Sequence, residues 1–297
     1  MGQVTSGSKS WPDGVDVEGA QYGYSYDGIG NRTTTSVNGR QAAYLSNTDN
    51  QYIQREVPGA IDVTGSADAG ATVTVNEAGV SRRGEYFHKS YEVDNSTSAQ
   101  YPELEVLAVK NDAGAGGEDV QAESSGRRFL PKTPEVYAYD DEGNLTSDGR
   151  WNYTWDGENR LIAMETIAGL PPEMKAQRLE FSYDAQSRRV RKVVYKWENS
   201  VWTAESDTRY LYDGWNLACE VDSTGAIVQS YVWGTDVSGA MQGAGGVGGL
   251  LSITEASEVH HPCYDGNGNV MALVKASDAS TSARYEYGPF GEALMAN

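Results

Sequence analysis

Only three histidines and two cysteines stand in the 297 residues, so nucleophilic and metal chemistry has few places to sit. His260 and His261 lie just ahead of Cys263, and this His-His-Pro-Cys run could supply half of a zinc site. Structural zinc takes four ligands from close Cys/His pairs. The one other cysteine, Cys219, stands alone. A thiolate–imidazole pair built on Cys263 has no orienting acid at a readable spacing. His88 falls in an alternating segment and reads as structural or exposed. The carboxylates are more numerous. Asp140, Asp141 and Glu142 precede Gly143 and Asn144, a dense set of oxygen ligands that does not follow EF-hand spacing. No pair of acids in the chain can be picked out as a glycosidase pair. The run Gly243–Leu250 is glycine-rich but lacks the Lys-Ser/Thr of a phosphate loop, and reads as a flexible loop. No catalytic, cofactor-binding or metal-ligating residue is assigned, and the expectation is a protein that is not an enzyme.

What positions the acids is a repeat. An aromatic, any residue, an aromatic and Asp lead into a Gly- or Asn-rich turn. The unit reads YSYDGIGNR from Tyr24, YAYDDEGNL from Tyr137, YTWDGENRL from Tyr153 and FSYDAQSRRV from Phe181. It returns as YLYDGWNL from Tyr210 and CYDGNGNV from Cys263, with degenerate copies YVWG at Tyr231 and YEYGPFGE at Tyr285. Tyr24 and Tyr26 sit two apart and so share one face of a strand. Asp27 follows at the strand end, where its carboxylate can accept from backbone N–H groups further round the turn. Gly28, Gly30 and Asn31 tolerate the positive φ that a tight reversal demands.

The residues singled out for turn and packing roles follow from this unit. They are Tyr26, Asp27, Gly30 and Asn31; then Tyr139, Asp140, Gly143 and Asn144. Trp155, Asp156 and Asn159 follow, with Tyr183 and Asp184, and Tyr212 and Asp213. The last sets are Tyr264, Asp265, Gly268 and Asn269, and Tyr287, Pro289, Phe290 and Gly291. An Asp that recurs once per unit has a job done once per unit, which is capping. The aromatic positions read as packing in tiers, with sugar stacking as the alternative. One hairpin is marginal alone, whereas several side by side form a continuous sheet.

The intervals agree. Asp140 to Asp156 is 16 residues, Asp156 to Asp184 is 28 and Asp184 to Asp213 is 29, leaving room for short strands. The interval from Asp27 to Asp140 is too long for one step. Inside it, residues 57–134 lack the unit and carry alternating segments: ATVTVN from Ala71, EYFHKSYEV from Glu85 and ELEVLAVKN from Glu103. The stretch Asn111–Gly126 reads as a loop. The fold expected is all-β: a curved or spiral strip of hairpins with a small inserted β-sandwich. Its segments are 1–56, 57–134 and 135–297.

The repeat resembles the YD repeats of the rearrangement-hotspot (RHS) family, shared with teneurin shells and insecticidal toxin complexes. YVWG at Tyr231, CYDGNGNVMALV from Cys263 and YEYGPFGE from Tyr285 are similar to that family's C-terminal core. Residues 65–79, GSADAGATVTVNEAG, resemble the opening strands of bacterial immunoglobulin-like modules. The family resemblance covers roughly residues 20–40 and 135–297. It implies hairpins coiled into a hollow shell that holds a C-terminal toxin or effector, in an extracellular or cell-surface protein. A non-catalytic scaffold is therefore the leading expectation. A glycan- or protein-binding surface module comes second and a hydrolase or metal-dependent enzyme third. The partners implied are flanking shell sequence, a toxin or effector, or a second copy of the chain, with a glycan or surface protein as a further class. The family continues past GPFGEAL into a self-cleavage site, and no acid here is assigned to that step.

Composition bounds the partners further. Glycine reaches 34 residues and Tyr 19 against 4 Phe, which favours strands joined by tight turns. The formal net charge of -19 disfavours nucleic acid and anionic membrane, both of which call for a basic patch. No apolar stretch is long enough to span a membrane, and none resembling a signal opens the chain.

Overall fold

The computed structural model describes residues 2–296, so the outermost limits of the expected segments, residues 1 and 297, lie outside it. The chain is all-β. Every regular element among the described residues is a strand, every strand pair in the named sheets is antiparallel, and no helix is long and apolar enough to cross a membrane.

Two compact units divide the chain: residues 1–152 with 167–174, and residues 153–166 with 175–297. In the first, six strands lie side by side: Ser6–Ser10, Asp16–Tyr26, Arg32–Val37, Arg40–Ser46, Tyr52–Arg55 and, returning from far along the chain, Glu135–Val136. Residues 57–134 fold between the last two. One sheet there places Tyr86–Glu92 between Ala60–Ser66 and Ser81–Arg83. The other has the order Val120–Arg127, Glu103–Lys110, Thr72–Val75, Ala78–Gly79. Alternation explains the burial. Val73 and Val75 point inward from one sheet, Ile61 and Phe87 from the other, and Val75 is fully buried. The ring of Phe87 lies over Gly65, where a Cβ would stand 2.6 Å from its Cζ.

The expected loop over Asn111–Gly126 is corrected in its second half. Val120–Arg127 is a strand, paired residue for residue with Glu103–Lys110 and exposed along its whole length. Its side chains carry no apolar alternation, and the ladder to its neighbour defines it.

In the second unit each strand from Leu161–Thr166 to Ala293–Ala296 hydrogen-bonds to its neighbours in chain order, a meander. The hairpin is thus the only building step, and the turns fall in rows along the sheet margins.

Polar side chains tie parts of the first unit together. Asp62 accepts from Asn38 Nδ2 at 2.6 Å, from Arg40, and from His88 Nε2 at 2.9 Å. His88 is therefore a structural side chain between Asp62 and Glu18, whose Oε2 lies 3.7 Å from Nδ1. Asn95 is buried and donates to the carbonyls of Val57 and Pro131.

Candidate functional site

The turns share one geometry. In the Asp27 turn, the amides of Ile29, Gly30 and Asn31 donate to Asp27 Oδ1 at 3.0, 2.8 and 2.8 Å. Asn31 Nδ2 donates to Oδ2 at 3.0 Å. The Asp27 amide meets the Asn31 carbonyl, closing a five-residue loop whose fourth residue, Gly30, has φ +103°. Asp140 repeats this with Asn144, and Asp265 with Asn269; Gly143 and Gly268 hold the positive φ. At Asp156 and Asp184 the fifth residue is Arg. Arg160 and Arg188 donate amide and guanidinium to the one carboxylate, and Asn159 and Ser187 take the positive φ.

The same turn occurs where the aromatic unit does not announce it. Asn47 accepts from the amides of Asp49 and Gln51, each at 3.0 Å, and Asn50 is left-handed. Asp222 accepts from Thr224 and Ala226, and Gly225 is left-handed. In two turns the acid has moved to the fifth place. Glu292 accepts from the Phe290 amide in the turn that starts at Gly288, and Glu118 from the Gly116 amide in the turn that starts at Gly114. Pro289 and Gly291 complete the former, with Phe290 half in water. The readable signal is an acid or amide three residues before a Gly or Asn, or a Gly-Glu closing the loop.

Asp213 departs from this pattern. Its turn is one residue shorter, Asp213 pairs directly with Asn216 across Gly214 and Trp215, and its carboxylate makes no hydrogen bond among the described residues.

The tyrosine before the turn reaches back across the sheet in most units. Tyr183 Oη donates to the Leu161 carbonyl at 2.7 Å, Tyr212 to Arg189 at 3.0 Å and Tyr287 to Val270 at 2.8 Å. Each acceptor is the first residue of the strand leaving the previous turn. Tyr139 does the same to Tyr52, just beyond the Asn47 turn, and Trp233 Nε1 to Leu217. Tyr264 reaches Leu250 and Tyr26 reaches Val4. Arg160 and Arg188 add a second stitch, stacking over Tyr183 and Tyr212 at 5.4 and 5.2 Å. Trp155 ends the strand Trp151–Trp155, half-buried.

These hydrogen bonds set the acids' titration. At Asp156 the Arg160 guanidinium is the largest influence and holds the carboxyl below the usual range. At Asp27 and Asp184 desolvation pushes upward and the amide donors outweigh it. The lone pairs of these acids are directed into the chain. Among the described residues no group of three or more His, Cys, Asp or Glu is placed to hold a metal ion. His260 Nδ1 faces Ser282, His261 Nδ1 faces the Leu251 carbonyl, and Cys219 and Cys263 are both free thiols.

The glycine-rich run is not the flexible loop expected from its composition. Asp236 is buried at 5% exposure and opens a capped turn with Ser238 and Gly239. Its Oδ2 then accepts from the amides of Ala244 at 2.6 Å and Gly246 at 3.2 Å, folding the run round one carboxylate. The Ser238 hydroxyl is the largest influence lowering its pKa, to about 2. Because the folded value lies below the unfolded 3.8, this stabilisation is full above about pH 4 and is lost as pH falls toward 2. Asp236→Asn turns an amide toward two amide donors. It is expected to lower the unfolding midpoint by on the order of 5 °C at neutral pH. The difference from the parent should shrink in a melt at pH 2, and an equal difference at both pH values would refute the assignment.

No protein-family model matches the chain. A tRNA3(Ser)-specific nuclease, WapA, of Bacillus spizizenii is 31% identical over 159 residues, 53% of this chain and 6% of the relative. The tRNA nuclease WapA of Bacillus subtilis strain 168 matches with the same identity and coverage. The chain therefore spans about 6% of the length of these relatives. Among solved structures, a TcdB2-TccC3-TEV crystal structure is similar at TM-score 0.35 and 12% identity, covering 98% of this chain and 14% of that one. A Photorhabdus luminescens Tc holotoxin pore with a TccC3 variant gives TM-score 0.39 and 11% identity, over 96% of this chain and 14% of that chain. The expectation of a protein that is not an enzyme is corrected by these findings: the sequence relatives are named tRNA nucleases.

Proposed function

We propose that this chain is a length of wall in a toxin-related protein of the RHS kind, and that the whole protein cleaves tRNA. The observation that carries the wall reading is the recurring stitch from Tyr183, Tyr212 and Tyr287 to the strand leaving the previous turn. It fixes the offset of successive hairpins, so that a strip of many units keeps one pitch without a core of large side chains. The RNA chemistry comes from the names of the sequence relatives. It runs against the partner class expected from a net charge of -19. The wall would hold or present the effector outside the cell or at its surface, and residues 57–134 would be an inserted immunoglobulin-like module.

The test is to incubate the full-length product of the gene with total tRNA before and after limited proteolysis. Cleavage that rises when the wall is opened supports an enclosed nuclease, and no cleavage in either state overturns the reading. Cleavage by residues 1–297 alone would place the chemistry in this chain.

A further inference from the structure

We propose that the turn margin around Trp215 and the Asp236 loop is a docking surface for a cationic polypeptide segment that carries apolar side chains. Two departures from the repeat meet there. The turn at Asp213 has lost one residue, which leaves Trp215 at its tip with 63% of its surface in water. The turn at Asp236 has instead gained a long glycine-rich loop, which Asp236 holds from inside. Gln242 of that loop donates to Asn216 Oδ1, next to Trp215. On its other side Val247 and Val237 lie against Gly268 of the following turn. Val237, Met241 and Val247 are exposed at 62, 50 and 44%. Ile29 and Phe290 are also exposed at the tips of their turns, whereas Glu158, Gln186, Thr224 and Asn267 occupy that place in others. Among the described residues, only here do several apolar side chains gather around one tip and its neighbouring loop. Four exposed apolar side chains gathered around one loop held from inside have the composition of a contact surface.

Charge selects the occupant. Arg188 donates to the Gly214 carbonyl beside Trp215, but from Val201 to Asn297 only Arg209, Lys275 and Arg284 carry positive charge, against twelve Asp and Glu. Asp213, beside Trp215, has a carboxylate that makes no hydrogen bond among the described residues. A second copy, itself carrying -19, and an RNA backbone are both repelled by this field, whereas Lys and Arg are drawn to it.

The test uses the full 297-residue chain and three synthetic peptides of equal length: Lys with Leu, Lys with Ser, and Glu with Leu. Binding is followed by calorimetry at low and moderate salt. The Lys/Leu peptide is expected to bind at least tenfold more tightly than either other. Trp215→Ser and the exposed pair Val237→Ser/Met241→Ser should each weaken it about tenfold, while Glu123→Gln, remote in sequence and on an exposed strand, leaves it unchanged. Melting curves check that the variants fold. Equal binding of the Lys/Ser peptide, equal binding of the Glu/Leu peptide, or insensitivity to both apolar variants overturns the proposal. So does a concentration-dependent dimer that Trp215→Ser abolishes, because the occupant is then a second copy.

Discussion

Phe87→Ala is expected to destabilise the fold of residues 57–134 by about 3–5 kcal/mol, the ordinary cost of deleting a buried phenyl ring. Phe87 is 5% exposed, and Gly65 leaves its backbone open for the ring to lie across. With the ring gone, neither Gly65 nor the remaining buried Ile61, Val73 and Val75 can fill the space without moving strands. Gly65→Ala should act in the same direction by driving a Cβ into the ring. Hydrogen exchange gives the measurement. Amides in Ala60–Ser66 and Tyr86–Glu92 should exchange about 100-fold faster or more, as a loss of 3 kcal/mol requires. Amides between Leu250 and Lys275 should keep their rates. Equal acceleration in both places would mean that the 57–134 fold does not open separately.

The all-β architecture was legible because Tyr, Val and Thr alternate and Asp-Gly or Asn-rich turns punctuate them. The recurring unit also pointed directly to Asp27, Asp140, Asp156, Asp184 and Asp265, whose hydrogen bonds lie within five consecutive residues. A local interaction leaves a local mark. Asn47, Asp222 and Asp236 make the same loop, yet an aromatic-x-aromatic pattern passes over them because the loop itself needs no aromatic. Asp213 shows the converse: the aromatics are present, but one missing residue between acid and Asn changes the turn. The stitch was not readable. Tyr212 finds its acceptor 23 residues back, at an offset set by strand length and bulges and not by any motif. The strand Val120–Arg127 was missed for a related reason, since its partner supplies all of its order. Nor does composition distinguish a mobile glycine run from one wrapped round a buried carboxylate such as Asp236.

Glu135→Ala is expected to cost about 2–3 kcal/mol, and the comparison with a double variant shows what the ion pair is for. Glu135 is where the chain rejoins the first sheet after residues 57–134, pairing with Arg55 across the ladder. Its side chain is 5% exposed and accepts from Arg55 Nε at 2.5 Å and from the Tyr137 hydroxyl at 2.8 Å. Burial is the largest influence on Tyr137 and, with the neighbouring carboxylate, keeps the phenol protonated well above its ordinary range. Removing the carboxylate leaves a guanidinium and a hydroxyl facing a cavity. The loss stays at the lower end for a buried pair because Arg55 keeps 36% of its side chain in water. Arg55→Met with Glu135→Met replaces both charges by apolar groups of similar reach, and should recover much of the loss in a urea titration. If it does, the pair contributes little net stability. Its contribution is then to selecting the register, since a one-residue slip would bury Val136 in place of Glu135 and strand Arg55 without its acceptor. A double variant as unstable as Glu135→Ala would instead make the pair a net stabiliser of the closure.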